Sequence, residues 1–393
     1  MNKIVLLGNG SPENGGCEAI TKGTLTILKE CCHPCSILDA YFNYDHTVKR
    51  IPTSEVNPIN YPKRWSWKWW LLQFTLRFSD SLTGFLLFSS HKKSIQQANV
   101  ALSLGGDTYS LDYGVPQRFI TMGQYVKKQG TKWVIWGASI GPFTENPAFE
   151  QKIAKHFRED VDMILVREQV TKDYLKSIGV VNHVYVVADP AFMMKPEPCA
   201  AKMTLPTQYM CINFSDLMAK YVTDGDLDRW KTICAQTIDQ LYEQFQCPMV
   251  FIPHVKSDFS FGNQVLAQCK YRSKVQMAPK ELNAAEMKWI ISQSLCNIAC
   301  RTHSTIASFS TGVPTVSLGY SIKSKGLNIQ MYGHENFLVY QKEITPSAVC
   351  HSVELLLNHL EEVKKHLAVK SKEIKEEACL AGQLLADLIR KKP

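Results

Sequence analysis

The sequence predicts an α/β protein of two domains, each a parallel sheet covered by helices. Three observations predict it. Short apolar runs alternate with stretches of helical spacing along most of the chain, the pattern of strands joined by helical crossovers. The pattern pauses at Lys195-Pro196-Glu197-Pro198, where two prolines in three residues suit a linker, and then restarts. The length of 393 residues also fits two domains, at roughly 100–200 residues each.

The elements follow in order. Residues 3–7 read as the first strand, and 18–30 as a helix, with helical spacing through Ala19, Leu25 and Leu28. Strands are expected at 36–41, 100–104, 133–136, 163–166 and 184–187. Beyond the linker they are expected at 209–213, 249–252, 297–300 and 315–318, with a helix over 228–245 and a long amphipathic helix from about Ala368. The expected division is 1–197 and 198–365 for the two domains and 366–393 for the C-terminal helix. No internal repeat and no low-complexity tract interrupts it.

Composition excludes several classes. With 45% hydrophobic and 20% charged residues the chain is an ordinary globular one. The net charge of +8 is spread out. The basic stretch 364–375 contains Glu373 and runs into Glu376 and Glu377, so it reads as a solvated helix face and no nucleic-acid partner is expected. The positive bias suits an anionic small substrate or an anionic membrane surface equally. The N-terminal apolar run is too short for a secretion signal, and no segment reaches the roughly 18 apolar residues that span a bilayer. The 13 cysteines are odd in number and lack framework spacing, so a reducing cytoplasmic setting with mostly buried thiols is expected. Cys31-Cys32-His33-Pro34-Cys35 closes a helix instead of opening one, and no second pair stands at zinc-like spacing. Structural thiols are therefore expected there, with no metal.

One stretch stands apart. Trp65–Phe74 carries four tryptophans among basic neighbours. It reads either as a peripheral contact with the inner face of a membrane or as a core helix or aromatic lid.

The polar and glycine residues gather at the carboxyl ends of the predicted strands, where open α/β sheets bind ligands. The first strand leads into Gly8-Asn9-Gly10-Ser11-Pro12-Glu13-Asn14-Gly15-Gly16-Cys17-Glu18. This is neither a dinucleotide fingerprint, since Glu13 takes the third glycine's place, nor a P-loop. It reads as an anion-accepting turn or a plain tight turn. Later strands lead into Gly105-Gly106-Asp107, Gly137-Ala138-Ser139, Arg167-Glu168 and Ala188-Asp189-Pro190. In the second half, His254, Arg301-Thr302-His303 and Tyr320 with Lys323 follow strand ends. Arg-x-His entering a helix combines cationic side chains with the helix's positive end.

These motifs, in this order, resemble the polysaccharide pyruvyltransferase family from Gly8 to about Gly333. The pieces are Asn14-Gly15-Gly16-Cys17-Glu18-Ala19, Gly105-Gly106-Asp107, Gly137-Ala138-Ser139-Ile140-Gly141-Pro142, Val166-Arg167-Glu168, Ala188-Asp189-Pro190-Ala191-Phe192, Pro253-His254, Arg301-Thr302-His303, and Gly312-Val313-Pro314 followed by Tyr320 and Lys323. Asp107 departs from the third glycine that many relatives carry. The resemblance implies two Rossmann-like domains facing across a cleft in a GT-B-like arrangement. It implies phosphoenolpyruvate as donor, with no other cofactor, and a sugar or lipid-linked glycan as acceptor. The product would be a cyclic ketal in polysaccharide or exopolysaccharide biosynthesis.

In that setting Arg301 is the expected grip on the doubly anionic donor. Lys323 would serve as a point charge on the phosphate, and Arg167 as a further cation. His303 is the expected general acid/base. Asn14, Gly106, Asp107, Ser139 and His254 complete the expected substrate-binding set. Blander readings stand beside these: Lys323 as a surface charge, Asp189-Pro190 as a turn, and Arg167-Glu168 as a structural pair. Two rival functions remain: a glycosyltransferase whose Arg301, His303 and Lys323 hold a nucleotide sugar's diphosphate, and a non-catalytic glycan- or membrane-associated protein.

Overall fold

A computed structural model of the chain describes residues 2–8, 10, 13–32, 35–41, 55–58, 62–111 and 114–391. They form two compact units. The first comprises Met1–Pro12, Ile20–Pro190 and Glu377–Pro393; the second comprises Glu13–Ala19 and Ala191–Glu376.

Among the described residues the first unit holds a parallel sheet of β1 (Asn2–Leu7), β2 (Cys35–Tyr41), β3 (Glu55–Pro58), β4 (Val100–Leu104), β5 (Lys132–Ala138), β6 (Met163–Val166) and β7 (Val184–Val186), in the order β3-β2-β1-β4-β5-β6-β7. The second holds β8 (Met210–Asn213), β9 (Met249–Phe251), β10 (Val275–Met277), β11 (Asn297–Ala299), β12 (Thr315–Gly319) and β13 (Leu338–Tyr340), in the order β10-β9-β8-β11-β12-β13. Both orders reverse direction beside the first strand of the unit, which is the Rossmann pattern.

Inner strands of such sheets are covered on both faces, so they need apolar side chains at every position instead of alternate ones. All five residues of β4, all four of β8 and all five of β12 are buried. The three strands that the sequence did not announce, β3, β10 and β13, are three of the four sheet edges; the fourth, β7, was expected. β10 is interrupted by Gln276 and so carries no continuous apolar run, whereas β13 closes the short run Phe337-Leu338-Val339-Tyr340, which the sequence reading passed over.

Helix starts follow local chemistry. Asn146 and Thr345 cap helices that open on Pro147 and Pro346, where a missing N–H costs nothing. Asn283 and Glu286 form a capping box at the helix Ala284–Ser292. The C-terminal helix spans Leu360–Arg390 and so begins earlier than expected. The chain passes between units at Pro190–Ala191, ahead of the expected 197/198, and segments 13–19 and 377–393 cross over. Neither crossing is visible in a contiguous division of the sequence.

The tryptophan stretch forms the helix Trp67–Phe78, capped by Ser66, and not a core helix. At the Cys-x-x-Cys, Cys32 Sγ donates to the Gly382 carbonyl at 3.1 Å. Burial, reinforced by Cys379, pushes the Cys31 thiol up to about 12, which suits a structural thiol. Cys35's side chain, with His33 and Pro34, lies outside the described residues. No helix among those described is long and apolar enough to cross a membrane.

Candidate active site

In the second unit the strand order reverses between β8 and β11. This is where α/β sheets open a crevice beyond their carboxyl ends. Asn213 ends β8 and is fully buried. Its Oδ1 accepts the Arg301 backbone N–H at 3.0 Å, and its Nδ2 donates to the Ile252 carbonyl at 2.8 Å. One amide thus ties together the segments that follow β9 and β11.

Arg301 caps the helix Thr302–Phe309. Its Nη2 donates to Asp258 Oδ1 at 2.7 Å, with Nε also directed at the same carboxylate (3.2 and 3.3 Å). Asp258 is fully buried and also accepts the His254 backbone N–H at 3.2 Å. Asp216 stands further off, at 3.7 Å. Burial opposes the guanidinium's charge, but Asp258, with Asp216 and Tyr320, holds its pKa above the ordinary value. The side chain keeps 24% of its surface exposed. A fixed, always charged fork with an accessible edge is well suited to a carboxylate or phosphate.

Two histidines flank it. His254 is buried, and burial, then His303 and Arg301, push its pKa down to about 3, so the ring is neutral at pH 7. Neither of its ring nitrogens has a hydrogen-bond partner among the described residues. Leaving such groups buried costs about 1–3 kcal/mol, which a substrate hydroxyl would offset. His303, in the first turn of the helix Thr302–Phe309, is half-buried.

The glycine pair at the start of the helix Gly15–Cys31 explains how both rings fit. A Cβ on Gly16 would lie 2.5 Å from His303 Nδ1, and one on Gly15 would lie 3.3 Å from His254 Nδ1. The Gly15 N–H also donates to the His254 carbonyl at 2.9 Å. Asn14 Oδ1 accepts the Gly16 N–H at 2.9 Å, so Asn14 acts as a helix cap. Beside the Arg301 helix a small polar recess is lined by Thr302, Thr305, Ser317, Ser324 and Asn328. Ser317 Oγ and Asn328 Oδ1 are buried there without a partner among the described residues.

The first unit gathers a different cluster. Arg167 follows β6, and its side chain is only 5% exposed. It donates to Asp107 Oδ1 and Asp189 Oδ2, both at 2.5 Å, and to Ser139 Oγ at 2.8 Å. Ser139 in turn donates to Glu168 Oε1 at 2.6 Å. Gly106 makes room, since a Cβ there would lie 2.8 Å from Arg167 Nη1. Burial again opposes the charge, and Asp107, Asp189 and Glu168 override it.

Arg167, expected as a further substrate cation, directs Nη1, Nη2 and Nε at Asp189, Asp107 and Ser139 of its own unit. Gly106, Asp107 and Ser139 belong to the same knot. Arg301, His303 and His254 are brought together, because each of the first two shifts the titration of the third. Tyr320 adds to the electrostatic support of the Arg301 charge, while Lys323 sits half-buried in the first turn of the next helix, Ile322–Tyr332, beyond the neighbouring strand. Asn213 and Asp216 were missed by the sequence reading; the only signal for Asn213 was a polar residue closing the run Met-Cys-Ile-Asn. Among the described residues no group of three or more His, Cys, Asp or Glu is placed to hold a metal.

Two parallel Rossmann-like sheets, with basic and imidazole groups at a strand-order reversal in the second, define an α/β protein of the GT-B-like class. Solved structures share that fold. UDP-GlcNAc 2-epimerase from Methanocaldococcus jannaschii aligns with a TM-score of 0.58 at 13% identity, over 91% of this chain and 93% of that one. MurG from Acinetobacter baumannii aligns with a TM-score of 0.53 at 13% identity over 100% of both chains. The amylovoran biosynthesis protein AmsJ of Erwinia amylovora is 20% identical over 320 residues, 75% of this chain and 74% of that protein. The polysaccharide pyruvyl transferase family matches residues 14–322, and the chain belongs to that family.

Proposed function

We propose that this chain transfers pyruvate from phosphoenolpyruvate onto two hydroxyls of one sugar in a polysaccharide or glycan precursor. The products are a cyclic ketal and phosphate. Family membership and the likeness to a protein of amylovoran biosynthesis support pyruvyl transfer in polysaccharide biosynthesis. The observation that carries the donor assignment is Arg301. It is braced by one buried carboxylate, keeps an accessible edge, and stands two residues from an imidazole at a helix start.

In this reading Arg301 takes the donor carboxylate. The phosphate lies at the positive end of the helix Thr302–Phe309, with the hydroxyls of Thr302, Thr305 and Ser317 nearby and Lys323 as the outer charge. His303 delivers a proton to the methylene carbon, which leaves the central carbon electrophilic. The first sugar hydroxyl adds there and gives up its proton. The C–O bond to phosphate then breaks, and the leaving phosphate takes up a proton. The second hydroxyl closes the ring and loses the second proton. Two protons are gained and two are lost. Neutral His254 orients the acceptor through one donor and one acceptor nitrogen.

The test supplies phosphoenolpyruvate with candidate glycans and measures phosphate release. Acceptor-dependent release with a ketal product is expected. Turnover of a nucleotide sugar with no release from phosphoenolpyruvate would overturn the proposal.

A further inference from the structure

Half of the exposed large apolar side chains among the described residues, nine of eighteen, fall within residues 65–86. Trp65 precedes the helix Trp67–Phe78, and the other eight lie on it and on the helix Asp80–Phe88 that follows. At about 100° per residue, Trp67, Trp70, Leu71, Phe74 and Phe78 share one stripe of the first helix. Trp67 is 70%, Phe74 61% and Phe78 66% exposed. The second helix adds Leu82, Phe85 and Leu86, also exposed.

This is not a core face left uncovered by a neighbour. Each helix has a separate inner face that is already packed: Leu72 and Thr75 on the first, and Thr83, Gly84, Leu87 and Phe88 on the second. Gly84 brings the second helix close to Tyr125 and Thr121. Asp80 locks the helix junction to Gln117 at 2.7 Å and to Lys152 at 2.9 Å. The aromatic stripe is thus held outward by a rigid base.

Charge identifies the occupant. Residues 62–79 contain Lys63, Arg64, Lys68 and Arg77 and no acidic residue. Arg64 lies over the Trp65 ring at 5.3 Å and Lys68 over the Trp67 ring at 5.6 Å, so cations border the exposed aromatics. A twofold contact between two copies would set these cations against each other. Tryptophan and phenylalanine flanked by lysine and arginine suit the boundary between acyl chains and anionic headgroups.

We propose that this face seats the protein on the surface of a bilayer bearing anionic headgroups, lying on it without spanning it. The proposal rests on the patch alone and stands or falls separately from pyruvyl transfer.

The test sediments the full chain with vesicles of phosphatidylcholine alone or of an equal mixture of phosphatidylcholine and phosphatidylglycerol. Binding to the mixed vesicles is expected, weakening as salt rises. The triple variant Trp67→Ser/Phe74→Ser/Phe78→Ser changes only exposed side chains and is expected to keep its fold, checked by circular dichroism. It is expected to lose at least about tenfold in partitioning. Lys63→Glu/Arg64→Glu/Lys68→Glu is expected to lose about tenfold or more on mixed vesicles and to change little on phosphatidylcholine. The proposal is overturned if the wild-type chain stays in the supernatant of mixed vesicles, or if the triple serine variant binds as well as wild type. It is also overturned if light scattering shows a dimer that this variant converts to monomer, for then a second copy occupies the face.

Discussion

Two arginines follow strand ends in the two units, and their surroundings differ. Arg167 is almost wholly enclosed and makes direct contacts to Asp107, Asp189 and Glu168. Arg301 has one buried partner, Asp258, a second acid further away, and an open edge. A guanidinium surrounded by carboxylates holds its own loops together. One that is braced from behind has charge left for an anion. Both follow a strand end, and the number of acids around each differs.

The comparison can be broken most sharply at His303 and Arg301. His303→Ala is expected to lower kcat by about 10²–10⁴-fold with an unchanged melting temperature. Arg301→Gln is expected to cut kcat/KM for phosphoenolpyruvate by about 10–100-fold, the worth of charge-assisted hydrogen bonds. Steady-state kinetics beside thermal melts would show whether the loss is in chemistry or in folding.

Arg167→Met tests the other side. It strands several carboxylates around a vacated site and should cost about 3–5 kcal/mol of stability, read by denaturant unfolding. The KM for phosphoenolpyruvate in the protein that folds should be unchanged. A raised KM with normal stability would exchange the roles of the two arginines.

The glycines sharpen the contrast. Gly16→Ala puts a methyl group against His303 and should reduce turnover, with about 1–3 kcal/mol of strain at most. Gly106→Ala meets the Arg167 guanidinium and should appear mainly as lost stability.

The last effect is read in pH. The pKa of His254 is depressed to about 3 in the fold, against an ordinary value of about 6.5. Between those values the unfolded chain binds a proton that the folded chain does not, so stability rises with pH across this window. The slope is at most roughly 1.4 kcal/mol per pH unit. It vanishes above about pH 6.5, and His254→Phe should flatten it in acid unfolding curves.

Much of this was legible in the sequence, and the reasons are local. β4, β8 and β12 announce themselves because both faces are covered. Arg301 and His303 stood out because a charged Arg-x-His follows an apolar run and opens a helix. The edge strand β10 did not, since Gln276 interrupts its three residues. What was least visible depends on distant contacts. Gly15 and Gly16 read as a turn, yet they are small to admit rings more than two hundred residues later. Asp107, Glu168 and Asp189 were noted at separate strand ends, but nothing in their spacing says that all three meet one guanidinium. Asn213 is a lone amide whose importance lies in its bond to Arg301.

The most direct test is calorimetric titration of phosphoenolpyruvate into the wild-type protein, Arg301→Gln and Ser139→Ala, the last of which loosens the Arg167 cluster without stranding a charge. Wild type and Ser139→Ala should bind alike, while Arg301→Gln loses at least about tenfold in affinity. Full affinity in Arg301→Gln together with loss in Ser139→Ala would contradict the account and move the donor to the first unit.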